Sequence, residues 1–174
     1  MTADDGPAAT RPPGLFRPPA IVGVLALFKL ALLVWCATSY GYFRDELYYV
    51  ACARRLAWGY VDHPPLSIAL LAVVTKVYGQ SLLSMRIVPA AAGALTLLLT
   101  ARLARLFGAG TLGQGLAALS TLVAPALLGI DSVYSMNALE SVFWTLTAGL
   151  VARAVVAPAA KEEHLAAAGA GHEA

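Results

Sequence analysis

Long apolar segments, separated by shorter polar ones, run along most of this chain. A helix rises about 1.5 Å per residue, so about 20 apolar residues cross the hydrocarbon core of a bilayer. The segments long enough to do so are residues 20–38, 85–107, 111–130 and 136–156, which predict four membrane-spanning helices. A fifth apolar segment, 66–77, contains Lys76 and is too short to cross. It predicts a helix lying in the membrane interface.

The flanking segments are different. Residues 1–19 are polar and rich in proline, which predicts a disordered cytoplasmic tail. Residues 20–156 predict one transmembrane domain, and 157–174 a polar C-terminal tail. The fold class expected is therefore all-α: a polytopic transmembrane helix bundle, with short interfacial helices in its first outer loop.

The arginines predict the orientation of this bundle. With four spans, Arg102 and Arg105 lie on the same side as both chain termini, whereas the short loop at Asp131 lies opposite and lacks Lys and Arg. The positive-inside rule then makes the termini cytoplasmic. The first outer loop also carries basic residues, but long loops follow that rule less strictly. The acids at positions 45, 46, 62, 131 and 140 are all expected on the extracytoplasmic side of the plasma membrane.

Composition agrees with a membrane protein and excludes some functions. The 174 residues are 59% hydrophobic and 13% charged, with a mean hydropathy of +0.71, while soluble domains carry about 25% charged residues. The net charge of +2 and the lack of a basic run argue against binding nucleic acid. Cys36 and Cys52 form no metal-binding pattern, and predict either two buried thiols or a disulfide.

Charged and aromatic side chains concentrate in residues 40–66. Asp45 and Glu46 are expected to open a short helix over residues 44–58, where the helix dipole favours carboxylates. Asp62 and His63 precede Pro64 and Pro65, which predict the start of the next helix and hence a place for a phosphate or, through the carboxylate, a metal. The alternatives are a simple capping acid at the first site and a stiff polar turn at the second.

A third polar element lies around the start of the fourth span. It contains Asp131, and then Asn137 and Glu140, which share one helix face with Trp144. A carboxylate there needs protein or water around it, so a hydrogen bond between helices is the alternative to a functional role. Lys29, inside the first span, predicts a cation that pairs within the bundle or reaches the interface. Arg86 predicts either a contact to a lipid phosphate or a headgroup anchor.

These motifs resemble those of bacterial members of glycosyltransferase family 39. The family includes the protein O-mannosyltransferases and is related to the lipid A aminoarabinose transferases and the RgtA/B/C/D-like enzymes. The resemblance rests on the Asp45-Glu46 pair after the first span, on the run from Gly59 to Leu66 (GYVDHPPL), and on the run from Ser135 to Glu140 (SMNALE). It implies the GT-C architecture and transfer of a hexose, a pentose or another sugar from a polyprenyl-phosphate donor at the outer membrane face.

The resemblance also implies roles for single residues. Asp45 matches an essential acid proposed to act at the acceptor, with Glu46 beside it. His63 stands at the basic position near the donor phosphate. The chemistry of such a transfer adds Arg86 as a further phosphate contact, because positive charge stabilises the departing phosphate. Asp62 matches a position that binds a divalent metal in some relatives, while Asp131, Asn137 and Glu140 are motif residues without an assigned role.

Family members are much longer than this chain, so the resemblance implies that the chain is the N-terminal portion of such an enzyme. The remaining portion would then be its partner, and the chain alone would be inactive. The alternative is a non-catalytic truncated or accessory membrane protein that retains the fold. A transporter is disfavoured, because transporters hold charge near the middle of the membrane, and here only Lys29 does so. Sugar, acceptor and metal dependence stay open.

Overall fold

The computed structural model describes the backbone of residues 18–170 and the side chains of residues 18–155. Within this part the chain forms helices and no strand, so the predicted all-α helix bundle is confirmed. The helices are α1 (Ala20–Cys36), α2 (Arg44–Ala53), α3 (Pro65–Tyr78), α4 (Leu82–Leu106), α5 (Thr111–Val123), α6 (Pro125–Ser132) and α7 (Met136–Ala170).

Helix α4 is the centre of the bundle. It packs against α1, α5, α6 and α7, and also contacts α3. Small residues such as Ala90, Gly93 and Ala94 are buried along it, and small residues let membrane helices approach closely. Val22 of α1, Leu97 of α4 and Ala118 of α5 are among the residues of one buried apolar cluster. Helices α1, α4 and α5 therefore form a common core.

Two helices in the described part are long and apolar enough to cross a membrane, namely α4 and the Met136–Val155 part of α7. Helices α5 and α6 together are long and apolar enough for a third crossing, but their axes differ by 61°, so they count as a span only if a bent span is accepted. Helix α1, with 17 residues, is at the lower limit for spanning a bilayer. The segment predicted as the third span is thus two helices, because Pro125 interrupts it. The four-span topology stays a prediction.

The two tails predicted from the sequence lie largely outside the residues whose side chains are described. Helix α7 continues to Ala170, so most of the predicted C-terminal tail is helical in its backbone. The predicted N-terminal tail lies outside the described residues except for Pro18 and Pro19.

The first loop folds into α2 and α3, as predicted, but α2 ends at Ala53, five residues early. The hydroxyl of Tyr60 accepts the Ala57 N–H at 2.9 Å and donates to the Arg55 carbonyl at 3.0 Å. These bonds give two backbone groups beyond the end of α2 a partner other than the helix. Helices α2 and α3 pack on the start of α4 through an apolar cluster consisting of Tyr49, Ile68, Leu71, Met85 and Tyr134. Both cysteines are free thiols.

Candidate active site

Glu46 and Arg86 form a buried ion pair where the first loop meets the bundle. Glu46 lies in the first turn of α2 and Arg86 near the start of α4, and their side chains are 0% and 1% exposed. Arg86 Nε lies 2.9 Å from Glu46 Oε1, and Arg86 Nη2 lies 2.7 Å from Oε2. This two-pronged geometry is the strong form of an arginine–carboxylate contact.

The remaining donors of Arg86 bind the backbone that follows α1. Its Nη1 donates to the carbonyls of Ala37 at 2.7 Å and Tyr40 at 3.2 Å, and its Nη2 donates to the carbonyl of Gly41 at 2.8 Å. A guanidinium has five N–H groups, and all of them are engaged here. In this arrangement the phosphate contact expected of Arg86 has no donor to make it.

The carboxylate of Glu46 is saturated in the same way. Besides Arg86, it accepts the backbone N–H groups of Phe43 and Tyr134, each at 2.9 Å. Burial raises the pKa of Glu46, but the hydrogen bonds from Arg86, Tyr134 and Phe43 outweigh it and leave that pKa below its ordinary value. We call Glu46, Arg86 and the backbone groups they bind the Glu46 network. It joins α2, α4, the end of α1 and the segment before α7.

Tyr49 links this network to His63. The Tyr49 hydroxyl accepts the Met136 N–H at 2.9 Å and lies 3.1 Å from His63 Nδ1, and the two rings stack with centroids 4.1 Å apart. Burial, together with the negative charge of Asp45, raises the pKa of Tyr49. In the His63 tautomer that carries its hydrogen on Nε2, Nδ1 accepts a hydrogen bond from the Tyr49 hydroxyl.

Asp45 faces solvent although its neighbour Glu46 is buried. Its side chain is 50% exposed, and its only hydrogen bond among the described residues comes from Arg44 Nε at 3.2 Å. Tyr49, one helical turn after Asp45, is buried with Glu46, whereas Asp45 lies at the edge. Of the two acids, Asp45 is the one that an incoming molecule can reach.

An apolar groove of about 370 Å³ lies between the start of α3 and the first turns of α7. It begins at Pro64, directly after His63. Its lining residues are Pro64, Leu66, Ser67, Met136, Leu139, Glu140 and Phe143. Glu140 supplies the one carboxylate of this lining, and it accepts a hydrogen bond from Trp144 Nε1 at 3.2 Å.

The other predicted residues lie apart from this group. Asp131 is buried in the last turn of α6, where it pairs with Lys29 at 2.8 Å, and so does not lie in a loop beside Asp45. Asn137 is exposed in the first turn of α7, and Asp62 is exposed next to His63. Among the described residues, no group of three or more His, Cys, Asp or Glu side chains could hold a metal ion. Asp62 thus lacks companion ligands there.

Tyr134 is the site residue that the sequence did not reveal. Its N–H binds Glu46, its hydroxyl donates to the Ser67 carbonyl at 2.6 Å, and its ring meets Tyr49 edge-on at 5.4 Å. Burial and the neighbouring Tyr49 raise the pKa of Tyr134, so it remains a neutral donor. Its position beside the SMNALE run was the available signal.

Comparison with known proteins identifies a family. Residues 62–172 match the dolichyl-phosphate-mannose-protein mannosyltransferase family. The match includes His63, Arg86 and Glu140 but not Asp45 and Glu46, which precede it. No curated protein and no solved structure matches the chain. Since the family match extends over more than half of the chain, and the described residues form helices long and apolar enough to span a membrane, this protein belongs to the dolichyl-phosphate-mannose-protein mannosyltransferase family.

Proposed function

We propose that this membrane glycosyltransferase of the GT-C type moves a sugar, mannose or another, from a polyprenyl-phosphate donor to an acceptor at the extracytoplasmic face of the plasma membrane. The observation that carries the proposal is that the exposed Asp45 lies one helical turn before Tyr49, while His63 stacks on Tyr49 and is followed directly by Pro64, where the apolar groove begins. An acid, a phosphate-binding group and a lipid-sized groove are what such a transfer requires.

Asp45 is proposed as the general base. In the transfer, an acceptor hydroxyl oxygen attacks the anomeric carbon, the bond from that carbon to the phosphate oxygen breaks, and the hydroxyl proton moves to Asp45. A base placed in this way typically contributes about 10²- to 10⁴-fold to the rate. The exposure of Asp45 supports this role, whereas Glu46 accepts four hydrogen bonds and is closed to solvent.

His63 is proposed to hold the departing phosphate. Tyr49 occupies its Nδ1, which leaves the Nε2–H to donate to an anion. His63 also precedes the N-terminus of α3, a helix of 14 residues that begins at Pro65, and helix N-termini favour anions. Phosphate leaves as an anion, so the reaction needs this stabilisation and no general acid.

The Glu46 network is proposed to position these groups rather than to react. Glu46 fixes the first turn of α2, which carries Asp45, and binds the Tyr134 N–H in the segment before α7. Arg86 ties the same carboxylate to the backbone after α1. The roles first expected of Glu46 and Arg86 thus become positioning roles, because neither side chain has a free polar group.

The apolar groove is proposed to receive the first isoprene units of the donor. Leu66 and Phe143 provide apolar contact, and the groove begins at Pro64, beside the proposed phosphate contact. Glu140 lies in its wall and would face the sugar or the headgroup. None of these steps uses a metal.

The test is transfer by the protein in membranes supplied with radiolabelled sugar on polyprenyl phosphate, or with the corresponding nucleotide sugar. We expect incorporation from at least one lipid-linked sugar and none from the nucleotide sugar once its conversion to the lipid form is blocked. Transfer from the nucleotide sugar alone would overturn the proposed donor. Absence of transfer from every donor would instead support a non-catalytic membrane protein that retains the fold.

A further inference from the structure

A second buried ion pair lies away from the site, inside the helix bundle. Lys29 of α1 and Asp131 of α6 are 0% and 1% exposed, and Nζ lies 2.8 Å from Oδ2. Charges inside a bundle are costly unless they are paired, and such residues are by default candidates for function. The proposed transfer uses neither residue directly.

Lys29 also binds the point at which the third predicted span breaks. In a helix, the N–H of residue 125 would bond to the carbonyl of residue 121, but proline has no N–H. The carbonyl of Thr121 therefore loses its helical partner, and the chain bends by 61° between α5 and α6. Lys29 Nζ lies 3.4 Å from this carbonyl and donates to it. One ammonium thus contacts both sides of the bend.

Gly93 of α4 provides the space for this pair. A Cβ atom built on Gly93 would overlap the carboxylate of Asp131. The obstruction is the carboxyl group itself, which is fixed by Lys29, so a side chain at position 93 would displace it. Helices α1, α4, α5 and α6 all meet at this point.

The chain leads from this pair directly into the proposed active site. Three residues after Asp131, the N–H of Tyr134 binds Glu46, and two residues later the N–H of Met136 binds Tyr49, the partner of His63. The carbonyl of Ser132, which lies between Asp131 and Tyr134, accepts a hydrogen bond from the Tyr40 hydroxyl at 3.2 Å. The direction in which the chain continues after the bend between α5 and α6 therefore determines whether the N–H groups of Tyr134 and Met136 reach Glu46 and Tyr49.

We propose that Lys29 and Asp131, seated on Gly93, are positioning residues for transfer. They hold the bend between α5 and α6, and so hold residues 133–136 against the Glu46 network. This inference rests on the proposed function for its effect on transfer. Its structural part, the ordering of residues 133–136, is independent of which donor the enzyme uses.

The test compares Lys29→Met/Asp131→Asn with the wild type in two measurements. The double variant removes both charges together and keeps the side-chain sizes similar, so it avoids the unpaired buried charge of either single change. Thr100→Val is the matched control, because among the described residues the Thr100 hydroxyl bonds only to the Thr96 carbonyl of its own helix. Lys29→Arg, which keeps the charge and donors, is the conservative rescue.

The first measurement is hydrogen–deuterium exchange of the peptide containing residues 133–136. We expect roughly 2- to 30-fold faster exchange in the double variant at an unchanged melting temperature, the range typical of coupling through a packed network. Lys29→Arg should show at most half of this acceleration, and exchange in Thr100→Val should match the wild type. Wild-type exchange in the double variant would overturn the inference, as would acceleration spread equally over all helices.

The second measurement is the rate of transfer. We expect kcat to fall by about 10- to 100-fold, as for a displaced catalytic group, with KM for the donor within about twofold because the groove is untouched. Faster exchange with wild-type kcat would overturn the positioning role. If instead the wild type transfers no lipid-linked sugar, the proposed function fails, while the exchange measurement still decides whether the pair orders residues 133–136.

Discussion

The contrast between the adjacent acids Asp45 and Glu46 yields the sharpest prediction. Glu46→Gln removes a negative charge that has 0% exposure and pairs with a guanidinium that has 1%. Removing one partner of a buried ion pair costs about 3–5 kcal/mol, because the other charge is left without compensation. Arg86 keeps its three backbone carbonyls, which favours the lower part of that range.

The new amide adds a second cost. The Glu46 carboxylate accepts hydrogen bonds at both oxygens, two at Oε1 and two at Oε2. A glutamine offers one oxygen and one NH₂, so two N–H donors would face an NH₂ group that cannot accept them. For a chain of this size, about 3–5 kcal/mol corresponds to a melting temperature lower by roughly 6–20 °C.

The assay is thermal unfolding in detergent of Glu46→Gln beside Asp45→Asn. The two changes are chemically alike and one residue apart, but Asp45 is half-exposed. We expect Asp45→Asn to alter stability by no more than about 0.5 kcal/mol, as for surface substitutions generally. A Glu46→Gln variant that melts with the wild type would refute the buried network. So would a stable Glu46→Gln variant without transfer activity, which would make Glu46 the reacting acid.

Further predictions concern pH, the phosphate contact and topology. The pKa of Glu46 is below its ordinary value of 4.5, so the stability that its charge contributes is present above pH 4.5 and is lost as the pH falls through the folded-state pKa. The acid unfolding curves of the wild type and of Glu46→Gln should therefore converge below pH 4.5. Parallel curves would contradict this expectation. His63→Gln should lower kcat by about 10²- to 10³-fold, the usual effect of losing one donor to a developing anion. Tyr49→Phe should lower kcat less, since the ring stack is retained. A His63→Gln variant whose kcat is within threefold of the wild-type value would show that His63 does not act in the site. Topology can be tested with single cysteines in a background without the native ones, at Val61 and Phe107, which are 94% and 68% exposed. We expect Val61→Cys to react with an impermeant maleimide on intact cells and Phe107→Cys to react only after permeabilisation. The reverse pattern would invert the proposed topology.

The sequence predicted the helices better than their contacts. Apolar length located the bundle, and the paired prolines before α3 correctly marked its start. The bend at Pro125 was visible as a proline within an apolar run, but the run was interpreted as one span. The pairing of Lys29 with Asp131 was open to prediction in outline, since each is a charge among apolar residues that needs a partner.

What sequence could not decide is which acid of the Asp45-Glu46 pair is buried. That depends on the rotation of α2 about its axis, which is determined by the packing of Tyr49 against Met85 and Tyr134. Likewise, the five donors of Arg86 find their acceptors only when the end of α1 and the start of α2 arrive beside α4. Such partners are far apart in sequence, and no local pattern connects them.

The role of Asp45 as the base is tested most directly by the initial rate of transfer from a lipid-linked sugar by Asp45→Asn, measured per amount of folded protein. Lys76→Gln, an exposed change in the last turn of α3, serves as the control. We expect a loss of about 10²-fold or more for Asp45→Asn, at the wild-type melting temperature, and no loss for the control. Transfer by Asp45→Asn within twofold of the wild type would contradict that role.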